Sequence, residues 1–172
     1  VIPEGVRVIG QNAFKDCKAL KKIVLPEGLE SIGKNAFKDC KSLEEISLPA
    51  GLKRIDDATF QNCKSLKKIV LPEGLEYIGD YAFDNCESIE EIDIPNSVLF
   101  INKYHIFSNC THLKKVHLPD SMTRIPSFMF SGCSALDNID IPNTVTEIDH
   151  HAFSDCSSLK KVRWPSNQFY IR

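Results

Sequence analysis

The sequence predicts an α/β fold: a right-handed solenoid of 23-residue repeats, with a parallel sheet on its concave face and one-turn helices on its convex face. Seven cysteines recur at steps of 23, 23, 23, 24, 23 and 23 residues, and eight prolines keep the same rhythm. One template, clearest in "LPEGLESIGKNAFKDCKSLEEISLP", runs between them. A fixed period of this length indicates stacked repeats that bury their apolar faces against each other. We assign residues 1–172 to one domain of about seven repeats.

Each repeat contains two extended pieces. The segment "SLKKIVLP" alternates around Ile69 and Leu71 and stops at Pro72, because proline has no N–H to give to a strand ladder. Equivalent segments are expected to pair in parallel into one sheet. After a turn of the type "PEG", the piece "LESI" buries Leu29 and Ile32.

A one-turn helix is predicted next in every repeat. The position before it holds mostly N-cap residues, and the position after it holds only Asp, Asn or Gly, which tolerate a left-handed backbone. The residues after it are Asp16, Asp39, Asn62, Asn85, Asn109, Gly132 and Asp155. One phenylalanine per repeat, from Phe14 to Phe153, is expected to form a spine through the core.

The cysteines are expected to be reduced and buried, and to pack as small hydrophobic side chains. They occupy one position of the repeat, so their side chains point in parallel rather than towards each other. No pair has the C-x-x-C spacing of a zinc site, so no metal and no cofactor is predicted.

Composition argues against two classes of partner. The chain has 21 Lys and Arg against 23 Asp and Glu, so it lacks the basic excess that nucleic-acid binding requires. No apolar run reaches the ~18 residues of a membrane span, and no signal peptide is present in this sequence.

The pattern L-x-x-I-x-L-P followed by A-F-x-x-C resembles the BspA-like, or Treponema-type, leucine-rich repeats. The resemblance extends from about Val1 to Pro165 and would make the fold a leucine-rich-repeat solenoid. It implies a cell-surface or secreted protein that binds other proteins, such as extracellular matrix or host surface proteins. In the common leucine-rich repeat an Asn is the ninth residue counted from the first Leu, where this chain has Gly28, Gly51 and Gly74.

The strand residues that face solvent alternate in charge from repeat to repeat. Each pair follows a strand leucine or isoleucine: Lys21-Lys22, Glu44-Glu45, Lys67-Lys68, Glu90-Glu91, Lys114-Lys115, Asp137-Asn138 and Lys160-Lys161. Neighbouring pairs can neutralise each other, or the face can recognise a protein. In the second case the candidate residues are Lys114, Lys115, His117, Asp140 and Arg163.

A second outward column offers another candidate site. Tyr77 and Phe100 stand between Arg54 and Arg124, and aromatic residues and arginine dominate binding energies at interfaces. The alternative is that these four side chains only stack on each other.

The fifth repeat breaks the pattern, since "NKYHIFSNC" holds one extra residue between Ile101 and Phe107. A wider turn or a bulge must absorb it. The irregular residues Phe100, Tyr104, His105, Phe128 and Met129 either form an apolar surface patch, or Ile106 and Met129 compensate for each other inside the core.

No nucleophile–base motif, phosphate-binding loop or metalloprotease motif is present, so no enzyme is predicted. The preferred function is a protein-binding module, and the alternative is a structural spacer that presents another domain. Residues 166–172 are a candidate closing segment, with Trp164, Phe169 and Tyr170 covering the last turn.

Overall fold

The computed structural model covers residues 1–172 and is a solenoid of short parallel strands. Its strands are β1 (Val8–Ile9), β2 (Lys22–Ile23), β3 (Ser31–Ile32), β4 (Glu45–Ser47), β5 (Arg54–Ile55), β6 (Lys68–Val70), β7 (Tyr77–Ile78), β8 (Glu91–Asp93), β9 (Phe100–Ile101), β10 (Lys115–His117), β11 (Arg124–Ile125), β12 (Asn138–Asp140), β13 (Glu147–Ile148), β14 (Lys161–Arg163) and β15 (Tyr170–Ile171).

The odd-numbered strands form one ladder, here called the short-strand ladder, and the even-numbered strands form the long-strand ladder. Each coil contributes one strand to each ladder, so coil one holds β1 and β2, coil seven holds β13 and β14, and β15 begins an eighth coil. In both ladders a residue pairs with the residue one repeat away, as Ile9 pairs with Ile32 and Ile46 with Ile69. The predicted parallel stacking of the repeat is therefore confirmed.

Neither ladder is continuous. The short-strand ladder runs from β1 to β9 and resumes from β11 to β15, while the long-strand ladder divides into β2-β4-β6, β8-β10 and β12-β14. Coils five and six are therefore not paired with each other in either ladder, since β9 does not pair with β11 and β10 does not pair with β12. At the junction of coils three and four only the long-strand ladder is interrupted.

The predicted one-turn helices are not formed, and consecutive turns take their place. Two residues in each coil have a left-handed backbone, such as Asn12 at φ 61° and Asp16 at φ 62°, and a helix cannot pass through them. N–H groups along the turn alternate between two kinds of partner. Ala13 donates to the Gly10 carbonyl three residues back, whereas Phe14 donates to Ala36 of the next coil at 2.8 Å.

The predicted left-handed position is confirmed in all seven coils. Six of its Asp and Asn residues have φ between 57° and 62°, and Gly132 has φ 76°. A second left-handed column, four residues earlier, was not predicted; it holds Asn12, Asn35, Ala58, Tyr81, His105, Phe128 and His151.

The phenylalanine spine is confirmed. Neighbouring rings from Phe14 to Phe153 stack at centroid distances of 5.2–5.9 Å, and the five central rings are fully buried. Stacked pairs of this kind add about 0.5–1.5 kcal/mol each to the stability gained from burial. The spine therefore ties every coil to its neighbours along the whole solenoid.

The cysteines are free thiols, and each after the first donates its S–H to a phenylalanine carbonyl of the preceding coil. Cys63 Sγ lies 3.2 Å from the Phe37 oxygen, and Cys86 Sγ lies 3.1 Å from the Phe60 oxygen. Burial raises the pKa of Cys40 and Cys156 to about 11 and raises the pKa of Cys63, Cys86, Cys110 and Cys133 further. Cys17 is the exposed member of the column.

The molecule contains no helix, and so none that is long and apolar enough to span a membrane. No group of three or more His, Cys, Asp or Glu side chains is arranged to hold a metal ion.

Candidate functional site

The charged residues of the long-strand ladder pair with each other between coils. Lys22 pairs with Glu45, Lys67 with Glu44 at 3.5 Å, and Lys114 with Glu90 at 3.0 Å. Of the predicted binding residues on this face, Lys114 is therefore engaged, and Arg163 is engaged with Asp140 at 3.4 Å. The expected neutralising arrangement is present among coils one to three, between coils four and five and between coils six and seven, whereas no ion pair of this face joins coils three and four or coils five and six.

Lys115 and His117 are the two predicted residues of this face that remain exposed without an ion-pair partner. They line one wall of a hollow of about 450 Å³, together with Val70 and Asp93. Of the predicted residues of this face, Lys115 and His117 are therefore the two that are free to meet a ligand.

Tyr77 and Phe100, predicted as a joint hot spot, have different environments. The guanidinium of Arg54 lies 4.1 Å from the Tyr77 ring centroid, and Asn102 Nδ2 donates to the Tyr77 hydroxyl at 3.2 Å. Tyr77 is therefore held by internal contacts, as the stacking alternative required. Phe100 stacks on no ring and is 66% exposed.

The extra residue of the fifth repeat enters between Asn102 and Tyr104. Asn102 still donates to Ile78 at 2.9 Å, with the same spacing along the chain as the bond from Gly79 to Ile55. From Tyr104 onward the spacing of the bonds between coils grows by one residue: Tyr81 donates to Tyr104, 23 residues ahead, whereas Ala58 donates to Asp80, 22 residues ahead. Lys103 therefore widens the turn, and Phe107 keeps its place, 5.2 Å from Phe83.

Both alternatives for the irregular residues are partly correct. Ile106 and Met129 are fully buried, as core compensation requires, whereas Phe100 and Tyr104 are exposed. Leu99 is exposed as well, at 64%, although the sequence interpretation did not include it. Comparing Leu99 with Glu30, Lys53 and Glu76 at the same position of earlier repeats would have identified it.

A second ring column was also missed. Tyr81, His105, Phe128 and His151 occupy the additional left-handed position and stack at 4.9, 4.5 and 4.9 Å. His105 Nδ1 lies 3.0 Å from Ser108 Oγ, and that hydroxyl donates its hydrogen to the Phe128 carbonyl at 2.6 Å. Nδ1 must therefore carry the hydrogen that the Ser108 oxygen accepts.

A gap opens where β9 and β11 fail to pair. In the intact ladder Leu99 donates to Glu76 at 3.1 Å and Thr146 donates to Thr123 at 2.8 Å, but the corresponding bond from the Thr123 N–H to the Leu99 carbonyl is absent. Pro126 stands where other coils have an N–H donor, so the Ile101 carbonyl loses its usual partner. The resulting cavity has a volume of about 260 Å³.

An ion pair between the exposed Arg124 and the buried Asp149 forms one wall of this cavity. Asp149 is 4% exposed, and its Oδ2 accepts from Arg124 Nε and Nη2, both at 2.6 Å, while Glu147 lies 3.5 Å from Arg124. The hydrogen bond to Asp149 raises the pKa of Arg124. The other oxygen of Asp149, Oδ1, has no hydrogen-bond partner.

The model of the "BspA type Leucine rich repeat region" matches residues 1–106 and 103–172, with six copies. The chain belongs to the BspA-type leucine-rich repeat family. The predicted resemblance is thereby confirmed, and with it the leucine-rich-repeat solenoid. No curated protein matches the chain.

Two BspA-type relatives of known structure are similar over most of the chain. A leucine-rich repeat protein from Bacteroides ovatus is 37% identical with a TM-score of 0.93, covering 96% of this chain and 43% of that protein. The Treponema pallidum leucine-rich repeat protein is 33% identical with a TM-score of 0.86, covering 90% and 72%. The pneumococcal vaccine antigen PcpA, at 24% identity and TM-score 0.54 over 99% of this chain and 40% of its own, shares only the fold.

BspA-type repeats are in general protein-interaction modules, and leucine-rich-repeat solenoids are typically non-catalytic. Several features that distinguish this BspA-type chain from a uniform solenoid lie together in coils five and six. They are the inserted Lys103, the exposed Leu99 and Phe100, and the missing pairing between β9 and β11.

Proposed function

We propose that this chain is a non-enzymatic protein-binding segment of a cell-surface or secreted protein, and that it meets its partner through coils five and six. The contact would be centred on Leu99, Phe100 and Tyr104, here called the fifth-coil patch. The family resemblance supports the surface location and a matrix or host protein as the partner.

The exposure of the fifth-coil patch carries this proposal. Its side chains are 64%, 66% and 47% exposed, and they are apolar or aromatic. In coils two to four the columns of Leu99 and Phe100 hold polar or internally bonded residues, such as Lys53, which pairs with Glu76 at 3.1 Å, and the covered Tyr77. Coil one has the exposed Val8 in the Phe100 column. Concentrated apolar and aromatic exposure beside an arginine is typical of interface hot spots.

A second candidate surface is the hollow beside Lys115 and His117, because neither of these residues has an ion-pair partner. The spacer alternative is favoured by coils one to four, whose charges are largely paired between coils.

The test is binding of the purified chain to a panel of extracellular-matrix and plasma proteins at physiological salt. Three double variants are compared with the parent: Leu99→Ser with Phe100→Ser, Lys115→Ala with His117→Ala, and the control Val8→Ser with Val24→Ser. The control removes apolar side chains of comparable exposure, 60% and 49%, from coil one.

Loss of about tenfold or more in affinity with the first variant alone is the expected result, since hot-spot residues cost 2 kcal/mol or more when truncated. Loss with the second variant alone would place recognition on the long-strand ladder. Absence of binding by the parent to every protein of the panel would leave the spacer as the better account.

A further inference from the structure

We propose that the hollow beside Lys115 and His117 binds an extended segment of the partner protein that carries a basic and an acidic side chain two residues apart. The basic side chain would meet Asp93, and the acidic one would meet Lys68 and Lys115. This inference rests on the proposed function only in that the chain binds a protein, because it uses the long-strand ladder rather than the fifth-coil patch. It adds the chemistry of the segment that the partner presents.

The hollow lies where the long-strand ladder is interrupted between β6 and β8. A matching hollow lies along β2 and β4, which are paired with each other. There the ion pair of Lys22 with Glu45 joins the two strands, and the volume is about 170 Å³. Lys68 and Glu91 occupy the same two positions without forming an ion pair, and their hollow has about 450 Å³. The break in the ladder therefore leaves both room and unpaired charges in one place.

Two rows of side chains line the hollow, one at the first residue of each strand and one two residues further on. The rows are Lys68, Glu91 and Lys115, and Val70, Asp93 and His117. Two lysines against one glutamate make the first row positive, whereas the second row is negative when histidine is counted as neutral. Glu73, beyond the end of β6, adds a further negative charge to the hollow. Charges of opposite sign thus lie about 6.6 Å apart, the rise of two strand residues.

Asp93 lacks the partner that its counterpart has two coils away. Asp140 and Arg163 occupy the second row in coils six and seven and form an ion pair at 3.4 Å. Asp93 has Val70 at the equivalent position of β6 and His117 opposite it in β10. A basic side chain of the partner would take the place at Asp93 that Arg163 has at Asp140. Its aliphatic stem would lie against Val70, which is 64% exposed.

An extended segment fits the spacing of the two rows. Side chains alternate between the faces of such a segment, so residues two apart lie on one face, about 6.6 Å from each other. With its basic residue at Asp93, the segment would place an acidic residue over the first row, within reach of Lys68 and Lys115. Charges on adjacent residues would point to opposite faces and could not meet both rows. Charge and spacing therefore select the same occupant.

The experiment is a titration of the isotope-labelled chain with capped tripeptides at low salt, where charge contacts are least screened. One peptide has arginine and glutamate separated by alanine, the second has them adjacent and followed by alanine, and the third has glutamine in place of both charged residues. The amide resonances of Val70 and Asp93 are followed by NMR, with that of Val24 in the matching hollow as the internal control. We expect the separated charges to bind at least about threefold more tightly than the adjacent ones, because two weak ion pairs form instead of one.

Two variants carry the test to the side chains. Asp93→Ser introduces the residue type that Ser47 provides in the matching hollow, and it should reduce the affinity for the separated charges at least about threefold. Glu27→Gln removes a carboxylate from the matching hollow and should leave that affinity unchanged. Both positions are exposed, so both variants are expected to fold.

Equal affinity for the separated and the adjacent charges, or no binding of either, would overturn the inference. So would an unchanged affinity in the Asp93 variant, or shifts at Val24 as large as those at Val70. These outcomes are distinguishable from failure of the proposed function, because the titration uses peptides and requires no natural partner. The binding panel with the Leu99 and Phe100 variant tests the fifth-coil patch without these peptides.

Discussion

At the scale of single residues, the cysteine column divides into one accessible thiol and six that are hydrogen-bonded to phenylalanine carbonyls. Cys17 is exposed, whereas Cys40 to Cys133 are buried. Each S–H bond fixes its sulfur as a donor, and the donor must keep its proton. Thiol chemistry therefore reports directly on the packing of each coil.

Alkylation of the native protein at pH 8 should modify Cys17 first. Cys156, which is partly buried, should follow, and the five buried thiols should react at least about 100-fold more slowly, because reaction requires local opening. Mass spectrometry of peptides after timed quenching measures the order. Labelling of Cys63 or Cys86 at the rate of Cys17 would show that the ladder is not packed as described.

The same thiols predict lower stability at alkaline pH. The unfolded chain releases thiol protons from about pH 8.5, whereas the folded chain holds those of Cys40 and Cys156 until about pH 11. Between these values the unfolded state binds fewer protons, so stability falls as pH rises. The midpoint of urea unfolding should be lower at pH 9.5 than at pH 7.5.

The matched control is the double variant Cys63→Ala with Cys86→Ala, which should flatten this pH dependence while lowering stability at both pH values. An unchanged slope in that variant would assign the alkaline effect to other groups.

At the scale of elements, the turn segments show why a helix was the wrong expectation. N-cap residues and a phenylalanine three residues before a cysteine suit a one-turn helix, but they also suit consecutive turns. The distinction lies in the second left-handed column, where Tyr81, His105 and Phe128 have conformations that bulky residues seldom adopt. Their stacking with the next coil stabilises them, and no local propensity contains that contact.

The glycines that open these turns give a matched pair of substitutions. A Cβ on Gly79 would lie 2.5–2.7 Å from atoms of Asp56 and Asp57, including their backbone, whereas a Cβ on Gly10 meets nothing within 4 Å. Gly79→Ala should therefore destabilise the protein by about 2 kcal/mol, and Gly10→Ala should be nearly neutral. Denaturant titration of both variants decides this, and equal stabilities would contradict the close approach of coils three and four.

The elements of the candidate site were only partly predictable. The position of the extra residue was confined to 101–107 by the sequence, and the structure places it at Lys103. The gap itself could not be predicted without the register between coils. The missing N–H of Pro126 has a consequence only when Ile101 is known to be the residue opposite. The sequence left Tyr77 open between a binding role and internal stacking for the same reason, since its cover by Arg54 and Asn102 comes from neighbouring coils.

At the scale of the whole molecule, the period of the sequence determined the parallel ladders, the phenylalanine spine and the alternation of charge. These features repeat in every coil, so one template predicts all of them. Features confined to one junction, such as the missing pairing between coils five and six, depart from the template, so the repeat pattern does not predict them.

The alternating charges make a prediction for the complete ladder. Glu44→Lys with Glu45→Lys would place three consecutive basic pairs, from Lys21 to Lys68, about 4.8 Å apart. Stability should fall slightly at low salt and recover in part at 1 M salt, because exposed pairs are weak and screened. Thermal unfolding at two salt concentrations measures the effect, with Glu4→Lys, which forms no ion pair, as the control.

The junction of coils five and six also has a mechanical consequence. Both strand ladders are interrupted there, so the turn bonds, such as that from Phe107 to Met129 at 2.9 Å, and the widest step of the phenylalanine spine, 5.9 Å, carry the connection. A solenoid stretched between a tether and a bound partner would yield first at this joint. Force would then widen the very cleft beside the fifth-coil patch, so tension and ligand occupancy would act on the same place.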